Sequence, residues 1–288
     1  MNKEKLKALI SLLDDPDAEV FQTVEEELLK EEVEIVPELE KAWETSSDGS
    51  YQQRLETLIH QLQFRDVKSQ LRDWILNSDD LLYGAYLVSK YQYPGLKYED
   101  INKQITKIRM DVWLELNDHL TALEKVRMIN HIMFNVHKFS RNTSNFLSAQ
   151  NSLICDVLDT HKGNPISLSI IYSVVAQRLG LPVFGVNLPK NFILAYMDET
   201  SDLVRTDEGI DGAVLFYINP INKGTVLGKK EIEFFIRQQK LELKVSYFLP
   251  CNNREIIQRM LNNLVAAYES AGQKSKVVEI EELLMMFS

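Results

Sequence analysis

Two cysteines, five histidines and a polar helix start at Asn164-Pro165-Ile166-Ser167 are the places where this chain could do chemistry. A thiol attacks only as its thiolate, which needs a neighbouring imidazole or a helix N-terminus. Cys155 and His161 lie six residues apart, which on a helix leaves them about 120° out of alignment and argues against a dyad. Cys155 is therefore expected to be a buried structural thiol. Cys251 follows Pro250 in a connection and has no neighbouring histidine. His131 and His137 are also six apart, with Ile132, Met133, Phe134 and Val136 between them, so they lack metal-ligand spacing. Asp202, Asp207, Glu208 and Asp211 supply hard oxygen ligands, but their spacing fits no calcium loop, and residues 198–212 read as a solvated acidic loop. No phosphate-binding glycine loop, serine elbow or cysteine pair occurs. No metal and no cofactor is expected.

The stretch Lys162-Gly163-Asn164-Pro165-Ile166-Ser167-Leu168 has an architectural explanation. Asn164 is a good N-cap, and proline is favoured at the first helical position, where its missing N–H would be orphaned anyway. Gly180 and Pro182 then stop the helix. Ile166, Leu168, Ile170, Ile171, Tyr172, Val174 and Val175 are apolar nearly all the way round, the pattern of a helix buried on several sides. Ser167 sits two residues into that helix with no matched base in the sequence.

The surrounding elements follow from periodicity. Leu6, Leu9, Ile10 and Leu13 recur at helical spacing before Asp14-Asp15-Pro16-Asp17. Further stripes are Val20 to Leu29, a helix over 34–45 with Pro37 in its first turn, then Leu55 to Leu62, Val67 to Ile75 and Leu81 to Val88. Such helix pairs resemble HEAT-like repeats, and Tyr93-Pro94-Gly95 marks the end of a region 1–95. Helices continue over 98–139, with a short one near 152–160. Strands are expected at 183–186, 192–196 and 214–218, as a small antiparallel sheet packed on the buried helix. Helix returns at 229–239. Residues 255–270 and 274–287 form a helical hairpin around Ala271-Gly272-Gln273. Its Leu261, Leu264, Tyr268, Gly272 spacing resembles part of a tetratricopeptide repeat. Trp43, Trp74 and Trp113 fall on apolar stripes and read as core.

Asn151-Ser152, Val157-Leu158, Gly163 to Leu168, Gly180-Leu181-Pro182 and Leu188-Pro189-Lys190-Asn191-Phe192 together resemble the SirB-type transglutaminase-like family, which has a papain-like core. The likeness runs from about residue 98 to the end and is sharpest over 151–196. It implies an α+β, predominantly α-helical fold with a helical region 1–95, a transglutaminase-like core 96–250 and a helical hairpin 251–288. Active members carry a Cys-His-Asp triad. The resemblance places Pro165, Asn191 and Asn219 at those three positions. Proline has neither thiol nor backbone N–H, and an amide does not titrate near neutrality. Asn219 accepts a hydrogen bond but has no charge to stabilise an imidazolium.

The resemblance therefore implies a non-catalytic protein- or ligand-binding module, with Asn164, Ser167, Asn191 and Asn219 as its candidate cleft. The alternative is a hydrolase or transferase reusing that cleft through Ser167 and Asn191. At 288 residues and 45% hydrophobic the chain can bury a large core, and its net charge of −10 argues against nucleic acid as a partner. The start is too short for a secretory leader, and no apolar run is long enough for a membrane helix. Two cysteines make no disulfide framework, which suits the cytoplasm. A protein or peptide partner is the expectation.

Overall fold

The structure, a computed structural model, describes residues 2–77, 80–198, 204–206, 209–211 and 213–287. The chain divides into two compact units, Met1–Asp73 and Trp74–Ser288.

The first unit is helical. It contains α1 (Lys3–Leu12), α2 (Ala18–Leu28), α3 (Val36–Thr45) and most of α4, which runs Gly49–Asn77. Asn2 and Asp17 cap α1 and α2 through their side-chain oxygens, and Pro37 sits in the first turn of α3. Leu6, Leu13, Leu28, Leu39, Leu55 and Leu58 form one buried cluster. Arg54 donates to the carbonyls of Leu13 and Asp15 at 2.9 and 3.0 Å, fixing the α1–α2 turn. The two stripes expected at 55–62 and 67–75 belong to one helix. Gln63-Phe64-Arg65-Asp66 between them holds no glycine or proline to break it.

The second unit opens with α5 (Leu81–Gln92), which packs on the core that follows. Sequence periodicity put this helix at the end of an N-terminal region reaching residue 95. Its burial on every side, including Leu82, Ala85, Leu87 and Val88, is what draws it into the larger unit. Next come α6 (Tyr98–Glu115), α7 (Ala122–Asn130) and a π-helical turn, His131–Val136. A short parallel pair, β1 (Ser140–Arg141) with β2 (Lys162–Gly163), brackets α8 (Ile154–Thr160). The central helix is α9 (Pro165–Gln177), with every residue from Ile166 to Ala176 buried.

Beyond α9 lie β3 (Val183–Leu188), β4 (Asn191–Met197), β5 (Val204–Thr206), β6 (Gly209–Asp211), β7 (Val214–Asn219) and β8 (Thr225–Leu227). One antiparallel sheet has the order β3-β4-β7-β8. It contains the three expected strands and adds β8. Strands β5 and β6 pair with each other inside the stretch expected as an acidic loop. Asp202, Asp207 and Glu208 lie outside the described residues. Then follow α10 (Lys229–Gln238), α11 (Asn253–Ser270) and α12 (Lys274–Met285).

β4 is buried from Phe192 to Met197 with no alternation, because both its faces are covered. Ile193, Ala195, Met197 and Tyr217 pack with Ile232 and Ile236 of α10. The opposite parity serves the α9 and α11 side, where Phe192 and Ile256 crowd Gly185. The α11–α12 hairpin docks on α5, α9 and β3, as a lone hairpin must. The observed class is a predominantly helical α+β fold. Trp74 is buried as expected, but Trp113 is 57% exposed and is not core. Among the described residues no helix is long and apolar enough to cross a membrane.

Candidate functional site

The start of α9 is built from hydrogen bonds that cross the whole motif. Asn164 Oδ1 accepts from the backbone N–H groups of Ile166 and Ser167 at 3.1 and 3.0 Å. In return, Ser167 Oγ accepts from the Asn164 N–H at 3.0 Å, which completes a capping box. The same hydroxyl donates to the Asn151 carbonyl at 2.7 Å, and Ser167 is fully buried. Asn164 Nδ2 donates to Ser152 Oγ at 2.8 Å. Pro165 occupies the first helical position, where it gives up no needed donor.

Asn151 ties this cap to the preceding loop. Its Oδ1 accepts from Asn142 Nδ2 at 2.8 Å, and its own Nδ2 donates to the Asn145 carbonyl at 2.7 Å. The Asn142 N–H donates in turn to the Gly163 carbonyl at 3.1 Å. Gly163 is glycine for a local reason: a Cβ there would lie 2.5 Å from Ser167 Oγ and 3.0 Å from Val157. The separated halves of the motif, Asn151-Ser152 and Gly163 to Ser167, are thus direct partners. Their long-range bonding was not read from sequence, although both halves were visible there.

Asn191 and Asn219 sit at one end of the sheet. Leu194 pairs with Ile218, which sets Asn219 opposite Ile193, two residues from Asn191. Gln177 near the end of α9 donates to the Val183 carbonyl at 2.7 Å, so β3 returns toward the start of α9 and β4 begins there. All four candidate residues therefore lie at the same end of the layered core. Asn164 and Ser167 are brought into direct contact. Strand alternation gives Asn191 and Asn219 the parity of Ile193 and Tyr217, which face α10, whereas the α9 cap belongs to the other layer. Asn191 Oδ1 accepts from the Phe192 N–H at 2.9 Å. Asn219 Oδ1 is buried and has no hydrogen-bond partner among the described residues.

Both thiols are buried. Burial pushes the Cys155 thiol up to about 11, aided by the charge of Asp156. Burial likewise holds Cys251 far above the usual thiol range, and its Sγ donates to the Gly185 carbonyl at 3.3 Å. His161 ends α8 in the left-handed region at φ 56°, and its ring lies 4.8 Å from Phe139. His137 Nε2 lies 2.8 Å from Asp111 Oδ2, a pair that local spacing gave no sign of. Among the described residues no group of three or more His, Cys, Asp or Glu side chains is placed to hold a metal.

Human F-box only protein 21 is 29% identical over 257 residues, 79% of this chain and 38% of that protein. The mouse protein of the same name is 26% identical over 257 residues, with the same shares. The chain thus spans 38% of the length of these F-box relatives. A UPF0162 protein of Xylella fastidiosa is 26% identical over 214 residues, 71% of this chain and 70% of that one. No solved structure matches. Residues 99–262, from α6 into α11, match the transglutaminase-like superfamily, and the chain belongs to it.

Proposed function

We propose that the chain is a non-catalytic, cytoplasmic binding module for a protein or peptide, built on a transglutaminase-like fold without the Cys-His-Asp triad. The observation that carries this reading is the state of Ser167. Its hydroxyl is buried, donates to the Asn151 carbonyl and accepts from the Asn164 N–H, so it is closed off from a substrate and its proton faces a backbone carbonyl, not a base. Pro165, Asn191 and Asn219 supply no thiol, no titrating base and no carboxylate at the family's triad positions. Both cysteines are buried with raised pKa values, the opposite of an activated nucleophile.

Binding through helical surfaces supports the same reading. The helix pairs of 1–95 as HEAT-like repeats, and the 251–288 hairpin as a tetratricopeptide-like unit of the SirB-type subgroup, would offer the concave faces that take peptides. The F-box relatives contain the matched region as a minor part of a longer chain, which suits a module. Nucleic acid and membrane are not partners in this reading, given the net charge of −10.

The test has two arms. Amine incorporation into a glutamine peptide, and hydrolysis of that peptide, should stay at blank level for the wild-type chain. Turnover lost in Ser167→Ala would establish the hydrolase or transferase alternative, and turnover lost in Cys155→Ala/Cys251→Ala would establish a thiol enzyme. In the second arm, proteins recovered from source-cell lysate are compared between wild type, Asn191→Ala and variants of exposed residues in 1–73. A specific partner lost in Asn191→Ala would place binding at the sheet end, and one lost only in the others would place it on the helices.

A further inference from the structure

Acidic charge is unevenly placed along this chain. Residues 1–73, the first unit, hold 18 Asp and Glu against 9 Lys and Arg, so −9 of the net −10 lies there. Within that unit a groove of about 370 Å³ opens between α3 and α4. Helical spacing builds its walls: Glu40, Trp43 and Glu44 share one face of α3, and Glu56, Ile59 and Gln63 share one face of α4. Trp43 and Ile59 are partly buried and pack against the leucine-rich cluster, so they form an apolar floor. His60 completes the lining, its ring stacked on that of Phe64 at 6.5 Å.

The groove carries three carboxylates and no lysine or arginine. Glu56 Oε1 accepts from Trp43 Nε1 at 3.0 Å, which ties the two walls together and fixes the indole. That donor is neutral, so it leaves the charge of Glu56 unbalanced. Glu40 and Glu44 have no ion pair among the described residues. As i,i+4 neighbours of like charge they repel each other, a cost that a bound cation relieves. Lys41, the nearest base in sequence, stands about 100° round the helix from Glu40 and lies outside the lining. The local charge and the charge of the whole unit thus have the same sign, and both favour a cationic partner.

The lining also says which cation. Among the described residues no three His, Cys, Asp or Glu side chains converge as metal ligands, so the carboxylates are too far apart for a bare ion. An ammonium is a strongly hydrated point charge, whereas a guanidinium sheds water readily, spans carboxylates with its planar fork and stacks on aromatic rings. A groove with an indole in its floor and separated carboxylates at its rim matches the second. We propose that this groove takes an arginine side chain from an exposed basic segment of a partner protein, with Glu40 and Glu44 as its counter-charges and Trp43 beneath it. The inference deepens the binding reading and rests on its claim that the first unit binds a protein. It uses none of Asn164, Ser167, Asn191 or Asn219.

The test titrates the isotopically labelled full chain with acetyl-Ala-Arg-Ala-Arg-Ala amide, watching backbone amides and the Trp43 indole N–H. The citrulline and lysine analogues of the peptide, and spermidine, run in parallel. The arginine peptide should shift signals at 40–44, 56–63 and the indole and saturate below about 10 mM, with the citrulline analogue about tenfold weaker or worse. Glu40→Gln/Glu44→Gln, both exposed, should weaken binding about tenfold. Glu4→Gln/Glu19→Gln makes the same change of charge on exposed residues outside the groove and should alter binding by less than about twofold. Equal binding of the citrulline analogue, equal weakening by the two variant pairs, shifts spread over the whole unit or no saturation would overturn the proposal. The lysine analogue or spermidine binding as tightly as the arginine peptide would overturn the guanidinium assignment. A lysate partner held by the first unit but retained in Glu40→Gln/Glu44→Gln would overturn the groove and keep the binding reading, whereas turnover in the amine-incorporation assay would overturn the non-catalytic reading and leave this titration standing.

Discussion

Asn164 and Asn219 share a side chain but differ in what surrounds it. Asn164 is saturated: its oxygen accepts two backbone N–H groups and its nitrogen serves Ser152. Asn164→Ala removes an N-cap and strands those donors, so unfolding free energy should drop by about 1–2 kcal/mol in urea titration. Asn219 Oδ1 has only cost, being buried without a partner among the described residues. Asn219→Leu should therefore be close to neutral, and a loss as large as that of Asn164→Ala would mean its oxygen is bonded. Asp156 adds a pH-dependent case. Burial raises its pKa, the Tyr93 hydrogen bond lowers it, and Asp159 raises it again, with the net shift upward. The folded state then binds the proton more tightly than the unfolded chain, so stability falls as pH rises from the unfolded value of about 4 through the folded one. Asp156→Asn removes that loss. Its stability relative to wild type should rise from acid to neutral pH, and a pH-independent difference would contradict the assignment. The cap at Asn164 and Pro165 was legible in sequence because capping is a local pattern, whereas the return bond from the Asn164 N–H to Ser167 Oγ was not read there. The bonds to Asn151 and Ser152, and the His137–Asp111 pair, join distant positions and have no spacing to betray them.

Elements were legible in kind more than in company. The buried helix α9 and three of the four strands of its sheet announce themselves by all-round apolarity and β-branched runs. The same all-round apolarity in α5 says that the helix is buried but not against what, so its place in the second unit emerged only with the packing. On the sheet side, the docking of α11 uses a close approach at Gly185. A Cβ on Gly185 would stand 2.6 Å from Phe192 and 3.0 Å from Ile256, and the Gly185 carbonyl also accepts from the Cys251 N–H at 2.8 Å. Gly185→Val must push Phe192 or α11 away. The expected cost is about 1–3 kcal/mol, typical of overpacking, with faster hydrogen exchange along 253–270 than along 165–176. Uniform acceleration through both segments would show that α11 and the sheet open as one body.

At the scale of the molecule, the buried clusters predict how the chain comes apart. The core of Met1–Asp73 is one leucine-rich cluster drawn from α1, α2, α3 and the first half of α4. A unit of that size buries a modest fraction of its surface and is marginal in stability. The second unit surrounds a helix with no exposed residue between Ile166 and Ala176, and covers strand β4 on both faces. Its apolar burial per residue is greater, and the free energy of opening should follow. Pulsed hydrogen exchange read by mass spectrometry at increasing urea resolves the two directly. Peptides from 1–62 should lose protection at lower urea than peptides from 165–176 and 192–197, giving two midpoints and bimodal spectra that evolve independently. The thiols supply a second clock: Cys155 and Cys251 both lie in the second unit, so their labelling should track the later midpoint. A single midpoint shared by all peptides and both thiols would mean that the division in packing is not a division in stability. A partner-binding surface on the first unit could then not open without the transglutaminase-like core.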